Sequence, residues 1–214
     1  MTLMLYDWYH TEMPQLISTY QSAAGEAQDG TPSPDVALIN NGVNVSIPVK
    51  PGKTYYIHVI DPGNFPGHAW LFDQHPMTTV EIDGVYVVPQ LMNNLPGQKP
   101  LTRVAPGQRQ GVLMQTKNDT SQNYAVFDTM DVNMLFINKG IVPPPASYNP
   151  NATAWLVYND SAPLPPPPVF QELGDTDFFD DVNYVPLDKE PVLEPVDRQI
   201  IFNMNEANIS GISR

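Results

Sequence analysis

Apolar and polar side chains alternate with a period of two along this chain, and proline or glycine cuts each alternation short. Val43, Val45, Ile47 and Val49 are apolar while Asn44, Ser46 and Pro48 between them are not, the pattern of a strand with one buried face. Pro51-Gly52-Lys53 signals a turn. Tyr55 to Ile60 follows as a second strand with Tyr55, Ile57 and Val59 on one side, and Asp61-Pro62-Gly63-Asn64 breaks it. Ala69 to Phe72 and Thr78 to Val88 read as further strands, and Thr153 to Tyr158 as a late one. Gln110 to Thr116 and Asn123 to Asp128 read as a pair about Lys117-Asn118-Asp119-Thr120. With 24 prolines and 13 glycines in 214 residues, long helices are disfavoured, and the one helical candidate is Met13 to Ala24. Short strands between proline and glycine turns predict an all-β chain, a sandwich or Greek-key barrel.

The apolar fraction of 42% is enough for a core. The net charge of −13 argues against nucleic acid or an anionic membrane face as partner. The acid is concentrated: residues 160–198 hold ten acidic and two basic side chains, a net of −8. In that stretch Leu164-Pro165-Pro166-Pro167-Pro168 predicts extended polyproline II, and an acidic segment with isolated aromatics follows. It is too polar to build a core, but its aromatics can dock on one. Gln199 to Met204 reads as a strand with only ten residues after it, the start of a further domain. The expected organisation is a sandwich over 1–159, a Pro-rich acidic linker over 160–198 and a first strand of a following, incomplete domain over 199–214.

No apolar run is long enough to span a bilayer, so no membrane insertion by this segment is expected, and Met1 to His10 do not read as a signal peptide. Asn44, Asn118, Asn151, Asn159 and Asn208 each begin an Asn-x-Ser/Thr sequon. Five sequons point to a glycosylated, secreted chain; the plainer reading is asparagine-rich loops.

The absence of cysteine removes disulfides, thiolate metal sites, a cysteine nucleophile and a blue-copper site. Of four histidines, His10, His58, His68 and His75, no two form a His-x-His pair. His68, Asp73 and His75 have donor types that suit several metals; the competing reading is one satisfied buried imidazole and one turn residue, with His58 a structural side chain of its strand. No Gly-x-Ser-x-Gly elbow, phosphate-binding glycine loop, Rossmann pattern or His-Glu-x-x-His occurs. Glu81 and Asp83, two apart on one strand, are expected on its polar face, as a binding pair or as two solvated charges.

In order along the chain, Asp7-Trp8-Tyr9-His10, Leu38-Ile39-Asn40-Asn41-Gly42, Val80-Glu81-Ile82-Asp83-Gly84-Val85-Tyr86 after Asp73 to Thr79, Ala105-Pro106-Gly107-Gln108-Arg109-Gln110-Gly111-Val112-Leu113, and Asp128-Thr129-Met130-Asp131-Val132-Asn133-Met134-Leu135 resemble the middle, cupredoxin-like domain of multicopper oxidases. With the Pro-rich acidic linker the match is closest to the fungal laccase-like and ferroxidase-like branch and covers about residues 2–205. The family uses copper, bound by His-x-His pairs and a His-Cys-His segment in its first and third domains. The resemblance therefore implies a copper-free second domain plus the linker to the third, with domains 1 and 3 as partners and no cofactor of its own. Its implied work is to space the copper domains and to wall the pocket of a phenolic or ferrous reductant.

The resemblance nominates two substrate-binding residues. Asp83 matches an aspartate that contacts reducing substrates in laccases, and Asp131 one associated with iron in ferroxidases. The ferroxidase branch has a glutamate before Pro-x-Pro where this chain has Thr31, and Glu26 is out of register. That departure favours a laccase-like oxidase of phenols, with a ferroxidase as the alternative. Two other readings remain open: a free-standing secreted β-sandwich that binds a ligand, and a mononuclear metalloenzyme on His68, Asp73 and His75.

Overall fold

The computed structural model describes residues 1–22, 31–92, 101–135, 144–166, 178–190, 194–203, 208–209 and 212–213. In chain order the elements are β1 (Thr2–Trp8), α1 (Met13–Tyr20), β2 (Val36–Ile39), β3 (Asn44–Pro48), β4 (Thr54–Ile60), β5 (His68–Phe72), β6 (Met77–Ile82), β7 (Val85–Met92), β8 (Thr102–Val104), β9 (Arg109–Gln115), β10 (Tyr124–Met130), β11 (Asn151–Val157), β12 (Asn208–Ile209) and β13 (Ile212–Ser213). A six-stranded sheet of order β2-β1-β4-β9-β6-β7 faces a five-stranded sheet of order β3-β11-β10-β5-β8. Parallel pairing of β1 with β4 and of β11 with β3 is set within otherwise antiparallel sheets. This is a cupredoxin-like sandwich.

The period of two decides which side chains meet between the sheets. Leu3 and Leu5 of β1 and Ile57 and Val59 of β4 are buried from one side; Trp70 and Phe72 of β5, Val126 of β10, and Ala154 and Leu156 of β11 are buried from the other. Burying a side chain of Leu or Phe size contributes roughly 1.5–3 kcal/mol, so this interior dominates the fold's stability.

Four expectations are corrected. Thr78 to Val88 is not one strand: the chain turns at Asp83-Gly84, both at positive φ (50° and 89°), and pairs β6 with β7. Glycine tolerates that conformation without a Cβ clash. The segments around Gln110 and Asn123 do not form a hairpin, because β9 pairs with β4 and β6 in one sheet and β10 with β5 and β11 in the other. The helix stops at Tyr20, four residues short of Ala24, and buries no residue. The strand expected over Gln199–Met204 does not form over the described residues 199–203, where Ile200, Ile201 and Phe202 are exposed; Met204 lies outside the described residues.

The acidic tail segment docks. Phe179 and Tyr184 pack against the core and against each other, with ring centroids 4.7 Å apart. Val88 N–H donates to the Val185 carbonyl, Leu187 N–H to Tyr86, and Phe179 N–H to Leu101 just before β8. Because β7 and β8 are the edges of the two sheets, this strap closes one open side of the sandwich. Of the polyproline run, Leu164 to Pro166 are described without regular structure, and the Trp155 indole N–H donates to the Pro165 carbonyl at 2.9 Å; Pro167 and Pro168 lie outside the described residues.

Candidate functional site

At one end of the sandwich the inward alternation turns from apolar to ionisable. Leu3 and Leu5 are followed by Asp7, Ile57 and Val59 by Asp61, and Val126 by Asp128, while His68 begins the strand that carries Trp70 and Phe72. Asp61, His68 and Asp128 are wholly buried, and Asp7 nearly so. His68 Nδ1 lies 3.0 Å from both carboxylate oxygens of Asp128. Asp61 Oδ1 accepts from Gly63 N–H at 2.8 Å, and Asp7 Oδ1 accepts from Asn64 N–H at 2.6 Å. Asp7 Oδ2, Asp61 Oδ2 and His68 Nε2 have no hydrogen-bond partner among the described residues. A Cβ on Gly63 would collide with both the Asp7 and the Asp61 carboxylates, so only glycine fits there.

Burial in a low-dielectric interior disfavours the charged form. Burial, with Asp7 and Asp128 nearby, pushes the Asp61 carboxyl up to about 7, against the pull of His68. Asp128 is raised by burial, again opposed by His68. Burial alone would lower the His68 imidazole, but the Asp128 carboxylate, helped by Asp61 and Asp7, holds it raised. The Tyr9 phenol is raised by burial and by Asp7.

Above this group opens a cleft of about 630 Å³, with Asp7, Trp8, Tyr9, His10, Gly63 and Asn64 in its walls. It shares Tyr9, Met13 and Asn64 with the lining of a second cleft of about 250 Å³ between α1 and Thr31-Pro32. Trp8, Met13, Ile17 and Tyr20 remain exposed around it. Such a wall can seat a small molecule by apolar contact, with the Asp7 carboxylate beside it.

The structure scatters the nominated residues. Asp83 is exposed in the β6–β7 turn, 3.1 Å from Arg109, whose backbone N–H it also accepts. It has left the strand that holds Glu81, whose carboxylate accepts from the Tyr56 hydroxyl, so the two do not form the expected pair on one strand face. Asp131 follows β10, buried, with Oδ1 accepting from Asn133 N–H at 3.1 Å and Oδ2 3.6 Å from Arg103. Thr31 lines the second cleft, and Glu26 lies outside the described residues.

The histidines do not assemble. His75 sits in the β5–β6 turn with Nδ1 donating to the Asp73 carbonyl and Nε2 accepting from the Tyr158 hydroxyl, each at 2.7 Å. Burial lowers its pKa, which keeps it neutral. His58 is exposed with its ring edge against Tyr56, and His10 pairs with Asp35 at 3.2 Å. Among the described residues no three His, Cys, Asp or Glu side chains gather to hold a metal ion, which removes the site imagined on His68, Asp73 and His75. With no thiol in the sequence, both ring nitrogens of His75 engaged and His68 Nδ1 held by Asp128, His68 Nε2 is the one unpartnered nitrogen of the two buried rings, and the described residues assemble no copper donor set.

Sequence reasoning missed Asp61 and Asp128 as members of one buried group. The signal was present: each continues an inward-facing apolar alternation, where a carboxylate is out of place.

The two facing sheets define a cupredoxin-like domain. The multicopper oxidase family model matches residues 1–161, and the chain belongs to that family. It is 33% identical over 207 residues to the iron transport multicopper oxidase FET3 of Gibberella zeae, covering 97% of this chain and 30% of that protein. It is 29% identical to the iron transport multicopper oxidase FET3 of Saccharomyces cerevisiae, over 99% of this chain and 31% of that protein. Among solved structures, Fet3p, a multicopper oxidase that functions in iron import, superposes over all of this chain and 37% of its own, with a TM-score of 0.85 and 28% identity. The laccase of Botrytis aclada shares the fold, with a TM-score of 0.63 at 18% identity. The chain thus spans about a third of the length of the relatives it matches.

Proposed function

We propose that this chain is the copper-free central domain of a secreted, iron-oxidising multicopper oxidase. In this reading residues 1–159 hold the domain, 160–198 the linker and 199–214 the start of the next domain. The observation that carries iron over phenols is the similarity, across nearly the whole chain, to relatives named for iron transport. The donor set supports the copper-free part, because catalytic copper needs clustered imidazoles that these histidines do not supply. Redox centres then lie in partner domains 1 and 3. The five sequons support the secreted placement.

The residues here act on the reductant. Asp131 accepts from Asn133 N–H and lies 3.6 Å from Arg103; in this reading its carboxylate attracts ferrous iron and favours the harder ferric product, which promotes loss of the electron. Asp83, tied to Arg109 in an exposed turn, is a secondary contact in this scheme. The test is oxygen uptake by the full-length oxidase with ferrous iron or hydroquinone as reductant. Asp131→Asn is expected to raise KM for iron about tenfold and leave hydroquinone unchanged. Equal loss on both reductants, or hydroquinone as the better substrate of the unaltered enzyme, refutes the iron assignment.

A further inference from the structure

Strand β5 pairs with β10 on one side and with β8 on the other, placing Met130 opposite His68 and Arg103 opposite Ala69. Asp131 leaves the end of β10, and its backbone N–H donates to the Gly67 carbonyl at 2.7 Å, which holds it beside the start of β5. From the other side the Arg103 side chain runs past Gly67, where an added Cβ would lie 3.8 Å from its Cγ. Arg103 Nη1 comes to 3.6 Å from Asp131 Oδ2. The sheet register, not the sequence, makes these two residues neighbours.

The Asp131 carboxylate is shared between two partners. Oδ1 accepts from Asn133 N–H, and Oδ2 faces Arg103. The Asp131 side chain is 7% exposed and that of Arg103 43%, so the arginine is the outer member of the pair. The guanidinium carbon also lies 5.0 Å from the centroid of the Phe178 ring. Phe178 belongs to the strap and bridges to Leu101, just before β8. Asp131 thus holds the guanidinium by charge while the strap holds it by a ring face.

A ferrous ion and a guanidinium compete for one carboxylate. With Oδ1 engaged, the ion must approach Oδ2, where Arg103 already balances the negative charge and repels a second cation. We propose that Arg103 is a specificity-determining residue that sets the iron affinity at Asp131: iron binds by displacing its guanidinium, and the Phe178 ring of the strap resists that displacement. The inference rests on the iron reading proposed above and adds a residue that opposes iron rather than one that attracts it. It also links the linker to the reductant, because the strap is part of the acidic segment 160–198.

The test uses the full-length oxidase, with oxygen uptake measured on ferrous iron and on hydroquinone. Arg103→Gln removes the charge and should lower KM for iron several-fold at unchanged kcat, raising the ratio of kcat/KM for iron to that for hydroquinone by the same factor. Arg103→Met should act alike, so a folding failure of one variant leaves the other. Arg103→Lys keeps the charge and should retain most of the unaltered KM. Phe178→Leu keeps an apolar side chain but loses the ring, and should lower KM for iron by a smaller factor. In an Asp131→Asn background, Arg103→Gln should leave KM for iron unchanged. If Asp131→Asn raises KM for iron but Arg103→Gln and Arg103→Met raise it or leave it unmoved, the inference is overturned and the iron assignment stands. Asp131→Asn without effect on iron overturns that assignment and this inference together.

Discussion

Replacing Asp61 by asparagine tests the buried ionisable group directly. Asp61 is wholly buried, and its carboxyl is pushed from 3.8 to about 7 by burial and by Asp7 and Asp128, against His68. Between those two values the folded chain holds a proton that the unfolded chain has released. Stability is then fully present below the unfolded value and falls as pH rises through about 7. Three units at about 1.36 kcal/mol each amount to about 4 kcal/mol lost by pH 8. Asparagine is isosteric, still accepts from Gly63 N–H, and carries no charge to desolvate. His68 and Asp128 are also raised and act with the same sign, whereas His75 is lowered, so its contribution is present at higher pH and lost as pH falls. Comparing the unaltered chain with Asp61→Asn cancels most of these shared terms. In urea denaturation the two should differ by no more than about 1 kcal/mol at pH 4, and the variant should be more stable by about 4 kcal/mol at pH 8. With a slope near 2 kcal/mol/M, that moves the midpoint by about 2 M. A difference that does not change with pH refutes the argument.

Gly63→Ala places a methyl group against the Asp7 and Asp61 carboxylates and should cost about 1–3 kcal/mol, read as a fall in the urea midpoint; an unchanged midpoint contradicts the tight approach. Phe179→Ala/Tyr184→Ala removes the aromatic staples of the strap and should lower Tm by roughly 5 °C. Hydrogen exchange at residues 178–187 should then approach the free-chain rate while β5 and β10 stay protected; retained protection of the strap counts against its dependence on these two rings.

Strand alternation was legible wherever one face is buried, because the residue identities report the burial directly. Val45 and Ile47 announced β3, and Ile57 and Val59 announced β4. The partner of a strand was not legible. β9 and β10 are adjacent in sequence, yet they lie in different sheets, because hydrogen-bond partners are set by the path of the connection. Asp83 looked like a strand residue until the positive φ of the turn removed it from β6, and the exposed Ile200 to Phe202 carry strand-forming side chains but pair with no strand among the described residues.

By itself the amino-acid order determined an all-β chain, the lack of thiol chemistry and the family resemblance, since these depend on residue type and local spacing. Only the tertiary structure decided that Asp7, Asp61, His68 and Asp128 meet, that Asp83 and Asp131 stand apart, and that Phe179 and Tyr184 return to the sandwich. Those facts depend on contacts between residues distant in sequence, where packing of two twisted sheets chooses the neighbours and burial then sets their protonation.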